Sequence, residues 1–500
     1  MPPGGSLPRR CFERWGLAVT LLLFLWMTRL PALDRFPLHI DEGVHITRAL
    51  KVWEWHPFWA IGDGRIINHW PIAALYPQNA PAVVARIPTA LAAMIGLAAG
   101  YALVKALFGG RAAALAGAMW LASPYLLFYE RLALSDAQAG ALVVAAAWAS
   151  VRLAKRGRAR DAALTGVALA SATMFKFTAV PYALMTLLVV LLMGRVPWRR
   201  RWVKLGIVGA VGLGCFAAPL LYLALRGGGE LSVVFRWLIG GPGALPFPDR
   251  FTANLGRLWG VLWGYGALGW ALALLAGLAA LLLARSGARL LLGWLAPFLA
   301  MTALGSEILP RHYVAVMPLA LTLAGAGLGA ALDRLPARAV RWAFTGAAAL
   351  ILAVEIAPFA AALYRDPASL ALPDSERIEY VTAHSAGFGL REAVQAFPET
   401  IQPPDAPVIA SMFPDSCRRA NFYAAPEHRM VCTDAPGLDA IRAALSERGL
   451  AYVLIEAPPI GLDVGALDLP ATRIAGYPRP GETEATASVT LWRLEAPASP

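Results

Sequence analysis

Apolar residues in this chain come in long unbroken blocks, not in the short alternations of a water-soluble core. The blocks lie at 15–33, 82–104, 112–129, 132–151, 162–176, 179–194, 205–225, 257–284, 290–305, 313–332 and 342–362. Most are long enough to cross a bilayer, which takes about 20 residues in a helix. The pair 162–176 and 179–194 is short and is interrupted by Phe177, Thr178 and Pro181. It reads either as a tight helical hairpin or as one broken helix. Beyond residue 362 the blocks stop. Short β-rich runs at 407–413, 429–433, 451–456 and 487–494 alternate with helical stretches, one of them near 437–448. That alternation predicts a small α/β domain. The pattern thus predicts a polytopic α-helical membrane protein of about eleven transmembrane helices over 1–362, with a first outer loop at 34–81. An extracytoplasmic α/β domain follows over 363–500.

Composition supports the membrane reading. Hydrophobic residues make up 58% of the 500 and charged residues 15%. A soluble domain is about one quarter charged, and disorder requires low hydrophobicity with high charge. Both classes are excluded. The net charge of +12 is explained by topology. With the N-terminus inside, six short inner segments hold twenty Lys and Arg residues, among them Arg9, Arg10 and Arg14 and the cluster Arg152, Lys155, Arg156, Arg158 and Arg160. The longer outer segments hold fewer, as the positive-inside rule requires. The basic excess therefore calls for no nucleic-acid partner, and the odd span count puts the C-terminal domain outside. No small-x-small cleavage site follows the first block, so an uncleaved first helix is expected. Four cysteines form no CxxC pair. Cys417 and Cys432 lie together in the outer domain, and whether they pair stays open. Glycines 206, 209, 212 and 214, and 325, 327 and 329, lie within apolar blocks, where close helix packing is expected.

Against so little charge, the ionisable residues near the outer side stand out. Asp41 and Glu42 follow the first block. In a helix starting there, Asp41, His45 and Arg48 share one face, while Ile46, Leu50 and Trp53 share another. The two acids cap that helix, do chemistry, or both. Arg131 and Asp136 lie at the second outer turn, and an acid opening an apolar block is costly unless capped, paired or functional. Lys176 ends the fifth block, where it either snorkels or serves a site. Arg311 and His312 precede the tenth block and suit an anionic group.

In order and spacing these stretches resemble the polytopic GT-C glycosyltransferases, in particular bacterial members similar to protein O-mannosyltransferases and lipid A aminoarabinose transferases. Asp41-Glu42 matches the family's acidic first-loop motif. Arg86-Ile-Pro88 is similar to its Arg-x-Pro region, and Ser123-Pro124 through Tyr129-Glu130-Arg131, with Asp136, looks like its second-loop stretch. Lys176 matches a frequent basic position. Pro310-Arg311-His312-Tyr313 with Pro318 is similar to the late Arg-Tyr element, although His312 interrupts the Arg-Tyr pair.

The resemblance implies a polyprenyl-phosphate-linked sugar donor and inverting hexosyl or pentosyl transfer to a lipid, polysaccharide or protein acceptor. The setting is the extracytoplasmic face of a bacterial plasma membrane. Asp41 is the implied general base, with Glu42 beside it. His45, Arg48, Arg131, Asp136, Lys176, Arg311 and His312 are the implied substrate-binding set. Metal use varies in the family, and the first loop has no Asp-x-Asp, so a divalent Mg or Mn requirement stays open. Two other readings compete. A transporter or flippase of lipid-linked sugars needs similar spans, but usually shows two-fold internal repeats and midplane helix breaks, and no such repeat is visible. A membrane scaffold leaves the Asp41, His45 and Arg48 face without a role.

Overall fold

The computed structural model describes residues 7–78, 80–228, 230, 245–266, 268–306, 308–335, 337–433, 437–457 and 462–497. The chain divides into two compact units. One comprises Met1–Leu33, Val52–Ala74 and Arg86–Arg365. The other comprises Asp34–Lys51, Leu75–Ala85 and Asp366–Pro500. The second unit thus takes in most of the helix that carries Asp41 and Glu42, together with the C-terminal α/β segment.

The first unit is helical. Leu7–Arg29, Pro81–Phe108, Ser135–Arg156, Trp198–Arg226, Arg285–Leu304 and Arg338–Arg365 are its long helices. Among the described residues, four helices are long and apolar enough to cross a membrane: Pro81–Phe108, Ser135–Arg156, Trp198–Arg226 and Arg285–Leu304. Several expected spans are shorter or broken. The block at 112–129 becomes Gly110–Leu121 and Pro124–Tyr129. The break is local chemistry: Ser123 accepts the Leu126 N–H with its side chain (3.2 Å), and Pro124 cannot continue the preceding helix. Ser123 and Pro124 are buried, so protein rather than lipid meets the break. The block at 257–284 splits into Phe247–Tyr265 and Leu268–Leu281. The ambiguous pair is a hairpin. Ala159–Phe175 ends where Lys176 turns extended, a 3-10 turn follows, and Tyr182–Met193 returns.

The two glycine clusters behave differently. A Cβ on Gly325 would lie 2.2 Å from Ala116 Cα, and one on Gly327 only 1.7 Å from the Gly277 carbonyl. Met317–Leu332 therefore needs glycine there to seat against Gly110–Leu121 and Leu268–Leu281. The expectation of close packing fails for Gly206, Gly209 and Gly214, which have open space where a Cβ would go. They point away from the bundle. The contact on that helix is made from the other side, where a Cβ on Gly166 would lie 2.6 Å from the Val208 carbonyl.

The second unit is built on a five-stranded sheet: β1 (Val408–Ser411), β2 (Val431–Cys432), β3 (Leu450–Glu456), β4 (Ala471–Tyr477) and β5 (Val489–Glu495), in the order β2-β1-β3-β5-β4. β1 pairs in parallel with β2 and β3, and β5 pairs antiparallel with β3 and β4. Side chains alternate across a strand. Tyr452 and Leu454 face one core with Val408, Val489 and Leu491, while Ala451, Val453 and Ile455 face another with Ile441 and Leu445. Cys417 and Cys432 are disulfide-bonded, tying the helix Pro414–Ala420 to β2. The sequence pattern finds every strand but β4. Its first four residues are exposed, so nothing selects an alternating apolar pattern there.

Candidate functional site

Within the first unit, chemistry gathers where two helix ends, a loop and a turn meet. Asp136 lies in the first turn of Ser135–Arg156, and Lys176 caps Ala159–Phe175. Their side chains form a buried ion pair. Neither charge is tolerable alone in such a place, and pairing is the expected solution. The loop at 61–67 laces onto this point: Ile66 N–H donates to the Met174 carbonyl (2.8 Å), and Phe177 N–H to the Gly64 carbonyl (3.0 Å). Gly64 has φ +67°, a left-handed turn suited to glycine. The loop brings in Arg65, and both Arg65 and Arg311 act on Lys176 through like-charge repulsion. Asp136, Lys176, Arg65 and Arg311 thus share a neighbourhood.

Arg311 and His312 lie in the 3-10 turn Pro310–Ala315. That turn is braced from below. Tyr125 donates to the Pro310 carbonyl (2.7 Å). The buried Asn254 amide donates to the Thr302 (2.9 Å) and Gly305 (3.0 Å) carbonyls, and its oxygen accepts the Ile308 N–H (3.2 Å). His312 Nδ1 accepts the Leu309 N–H (3.3 Å), so the ring shapes the turn. A Cβ on Gly140 would lie 2.2 Å from the Val314 carbonyl. Glycine here lets the helix Ser135–Arg156 press directly on the turn that carries Arg311. Beside it, Leu258, Leu262, Leu278, Trp294, Phe298 and Tyr313 help line an apolar cleft of about 220 Å³.

Arg131 is placed differently from the bases above. It is buried and donates to the carbonyls of Arg29 (2.9 Å) and Ala32 (3.0 Å). Beside it, Glu130 pairs with Arg29 (2.8 Å) and accepts from the Trp120 indole (2.7 Å). Arg86 donates to the Leu33 carbonyl. Buried arginines therefore secure the chain at 29–33, where the first helix ends.

The remaining candidates lie in the second unit. Asp41 and Glu42 open the helix Ile40–Val52. Glu42 is fully buried and accepts the His39 N–H (2.9 Å), an N-terminal cap. His39 Nδ1 accepts the Asp41 N–H (3.2 Å), and His39 Nε2 lies 3.7 Å from the Glu379 carboxylate. Asp41 is only half-buried. The cap on this helix is thus made by Glu42. His45 and Arg48 are buried on the same helix. Among the described residues, no group of three or more His, Cys, Asp or Glu side chains is arranged to hold a metal ion.

Sequence reasoning missed Arg65, Asn254, Gly140 and His39. Arg65 lies in a long polar loop that gives it no contrast. Asn254 and Gly140 matter only through what they touch. His39 had a signal, its place two residues before Asp41.

No curated protein sequence matches the chain. Residues 70–222 match the family described as dolichyl-phosphate-mannose-protein mannosyltransferase. In fold, the chain is similar to ArnT from Cupriavidus metallidurans bound to undecaprenyl phosphate, with TM-score 0.61 and 15% identity over 96% of this chain and 98% of that one. The apo state of that protein gives TM-score 0.60 and 16% identity over 97% and 98%. The oligosaccharyltransferase of Archaeoglobus fulgidus gives TM-score 0.48 and 13% identity over 89% and 70%. In sequence over residues 70–222 and in fold over nearly its whole length, the chain is similar to the polytopic GT-C glycosyltransferases.

Proposed function

We propose that the protein transfers a sugar from a polyprenyl-phosphate donor to an acceptor hydroxyl on the extracytoplasmic face of a bacterial plasma membrane, with its N-terminus in the cytoplasm. The observation that carries this reading is the company of Asp136, Lys176, Arg65 and Arg311, with Tyr313 of the same turn lining an apolar cleft. A polyprenyl phosphate needs both parts: apolar walls for the chain and fixed cations for the head. The similarity in fold to a protein captured with undecaprenyl phosphate supports the same donor class. The 20 inner-side Lys and Arg residues support the orientation.

In the proposed reaction Asp41 accepts the proton of the acceptor hydroxyl. The acceptor oxygen bonds to the anomeric carbon as the bond from that carbon to the phosphate oxygen breaks, and the configuration inverts. Lys176, Arg65 and Arg311 neutralise the charge that returns to the departing polyprenyl phosphate. Asp136 holds Lys176 in place, His312 shapes the turn that carries Arg311, and His45 and Arg48 accompany Asp41 on its helix. Asp41→Asn is expected to lower transfer by about 10²- to 10⁴-fold, the usual worth of a general base, with membrane insertion unchanged. Near-normal turnover would remove Asp41 as the base. Comparison of surface lipids, polysaccharides and proteins with and without the gene identifies the acceptor. A flippase would instead move the donor lipid intact, and the Asp41→Asn protein would still move it. Chelation with EDTA, followed by Mg or Mn add-back, tests metal dependence.

A further inference from the structure

Arg419 is fully buried in the short helix Pro414–Ala420 of the second unit. Burying a guanidinium is costly, and an ion pair around it seldom repays that cost in stability. Its geometry offers another reason for it to be there. The planar fork holds several acceptors at fixed angles. Arg419 donates to the carbonyls of Ser385 (2.6 Å), His384 (2.9 Å) and Leu38 (3.2 Å). Leu38 lies three residues before Asp41. Its N–H donates to the Tyr423 hydroxyl (2.6 Å), one turn along from Arg419. One short segment, 419–423, therefore grips residue 38 by both its N–H and its C=O.

The grip continues into the acid helix. A Cβ on Gly43 would lie 2.7 Å from Arg419 Cβ, so the helix rests on this side chain at the residue after Glu42. Glu42 also attracts Arg419 electrostatically. On the other side, the buried Glu456 carboxylate lies 3.8 Å from Arg419 and accepts from Arg479 at 3.0 Å. Glu456 closes β3, so the sheet itself supplies the counter-charge. The helix is pinned to β2 by Cys417–Cys432, and Asn421 donates to the Met430 carbonyl (3.0 Å) and accepts its N–H (2.8 Å).

We propose that Arg419, balanced by Glu456 and secured by the Cys417–Cys432 disulfide, is a positioning residue that sets residues 38–42 for sugar transfer, making the C-terminal α/β segment a working part of the enzyme. This rests on the assignment of Asp41 above. The test uses the full-length protein in detergent, with Arg419→Met, Arg419→Lys and the double variant Cys417→Ser/Cys432→Ser. Hydrogen exchange of the peptides covering 36–48 reads the position of the loop without reference to activity. Arg419→Met is expected to raise exchange there at least tenfold while β3 stays protected. It is expected to lower kcat by tenfold or more with an unchanged KM for a polyprenyl-phosphate-linked sugar extracted from host membranes. Arg419→Lys should recover part of both, and the cysteine variant should show the same loosening in milder form.

If Arg419→Met does not fold, Gly43→Ala displaces the acid helix from the opposite side with every charge kept, and the same paired changes are expected. Unchanged exchange at 36–48, or raised exchange with normal kcat, overturns the proposal. A failure of Asp41 as base shows separately, as normal turnover in Asp41→Asn.

Discussion

Asp136 and Lys176 show how a charge inside an apolar block should be read. Each stood out in the sequence because its neighbours could not solvate it. Their pairing did not, because 40 residues separate them. Lys176→Met leaves Asp136 buried and uncompensated, and a broken buried pair typically costs about 3–5 kcal/mol. Replacing both, Asp136→Asn with Lys176→Met, should restore much of that loss. Thermal unfolding in detergent measures the difference, while donor binding should stay impaired in both because the proposed phosphate site loses a cation. Gly140→Ala makes a finer point. The added methyl has a carbonyl in its way, and overpacking of this kind costs about 1–3 kcal/mol. A raised KM for the donor, with acceptor KM unchanged, is the expected result. Nothing in the sequence marks Gly140 apart from other glycines in apolar helices. Its importance comes from the Val314 carbonyl, 174 positions later.

At the scale of elements, hydropathy located the helical blocks but not their internal breaks. Apolar content stays high through Ser123-Pro124 and through Gly266, so the pattern runs on where the backbone does not. The sheet was legible where both faces are buried, as in β3, and illegible at β4, whose solvent face imposes no pattern. The turn between β4 and β5 yields a pH prediction. Burial alone would push the Glu482 carboxyl up. Hydrogen bonds from the Ser488 hydroxyl and N–H and from the Arg479 N–H, with the Arg479 charge, outweigh it and hold the carboxyl below its usual 4.5. A lowered folded-state value means that the stabilisation is present above the unfolded value, near 4.5, and is lost as pH falls through the lowered one. Amide protection at 479–488, corrected for intrinsic exchange, should therefore fall in acid. In Glu482→Gln it should already be low at neutral pH and change less.

For the whole molecule, fold class and resemblance were readable from blocks, loop charge and a few ordered motifs. The membership of the two units was not. Contiguity suggested a boundary near 362, but 34–51 and 75–85 group with 366–500. Among the contacts that join 34–51 to 366–500 are those of Arg419 and Tyr423 with Leu38, which span more than 380 positions and leave no local trace. Removing residues from Val489 onward is accordingly expected to deprotect the acid helix as well as the sheet, because β3 loses its β5 partner and Glu456 ends that strand. Exchange at 36–48 in the truncated protein checks this.

That arrangement has a consequence for biogenesis. The helix Ile40–Val52 leaves the ribosome early, but β5 at Val489–Glu495 comes more than 430 residues later. At about 5–20 residues per second, the buried Glu42, His45 and Arg48 wait for roughly 20–90 seconds before the strand that completes their unit has been made. During that interval an acid, a histidine and an arginine that the finished protein hides from water are still unassembled. A nascent chain arrested before β5 should therefore be an especially good substrate for quality-control proteases, and its cleavage should begin near residue 40.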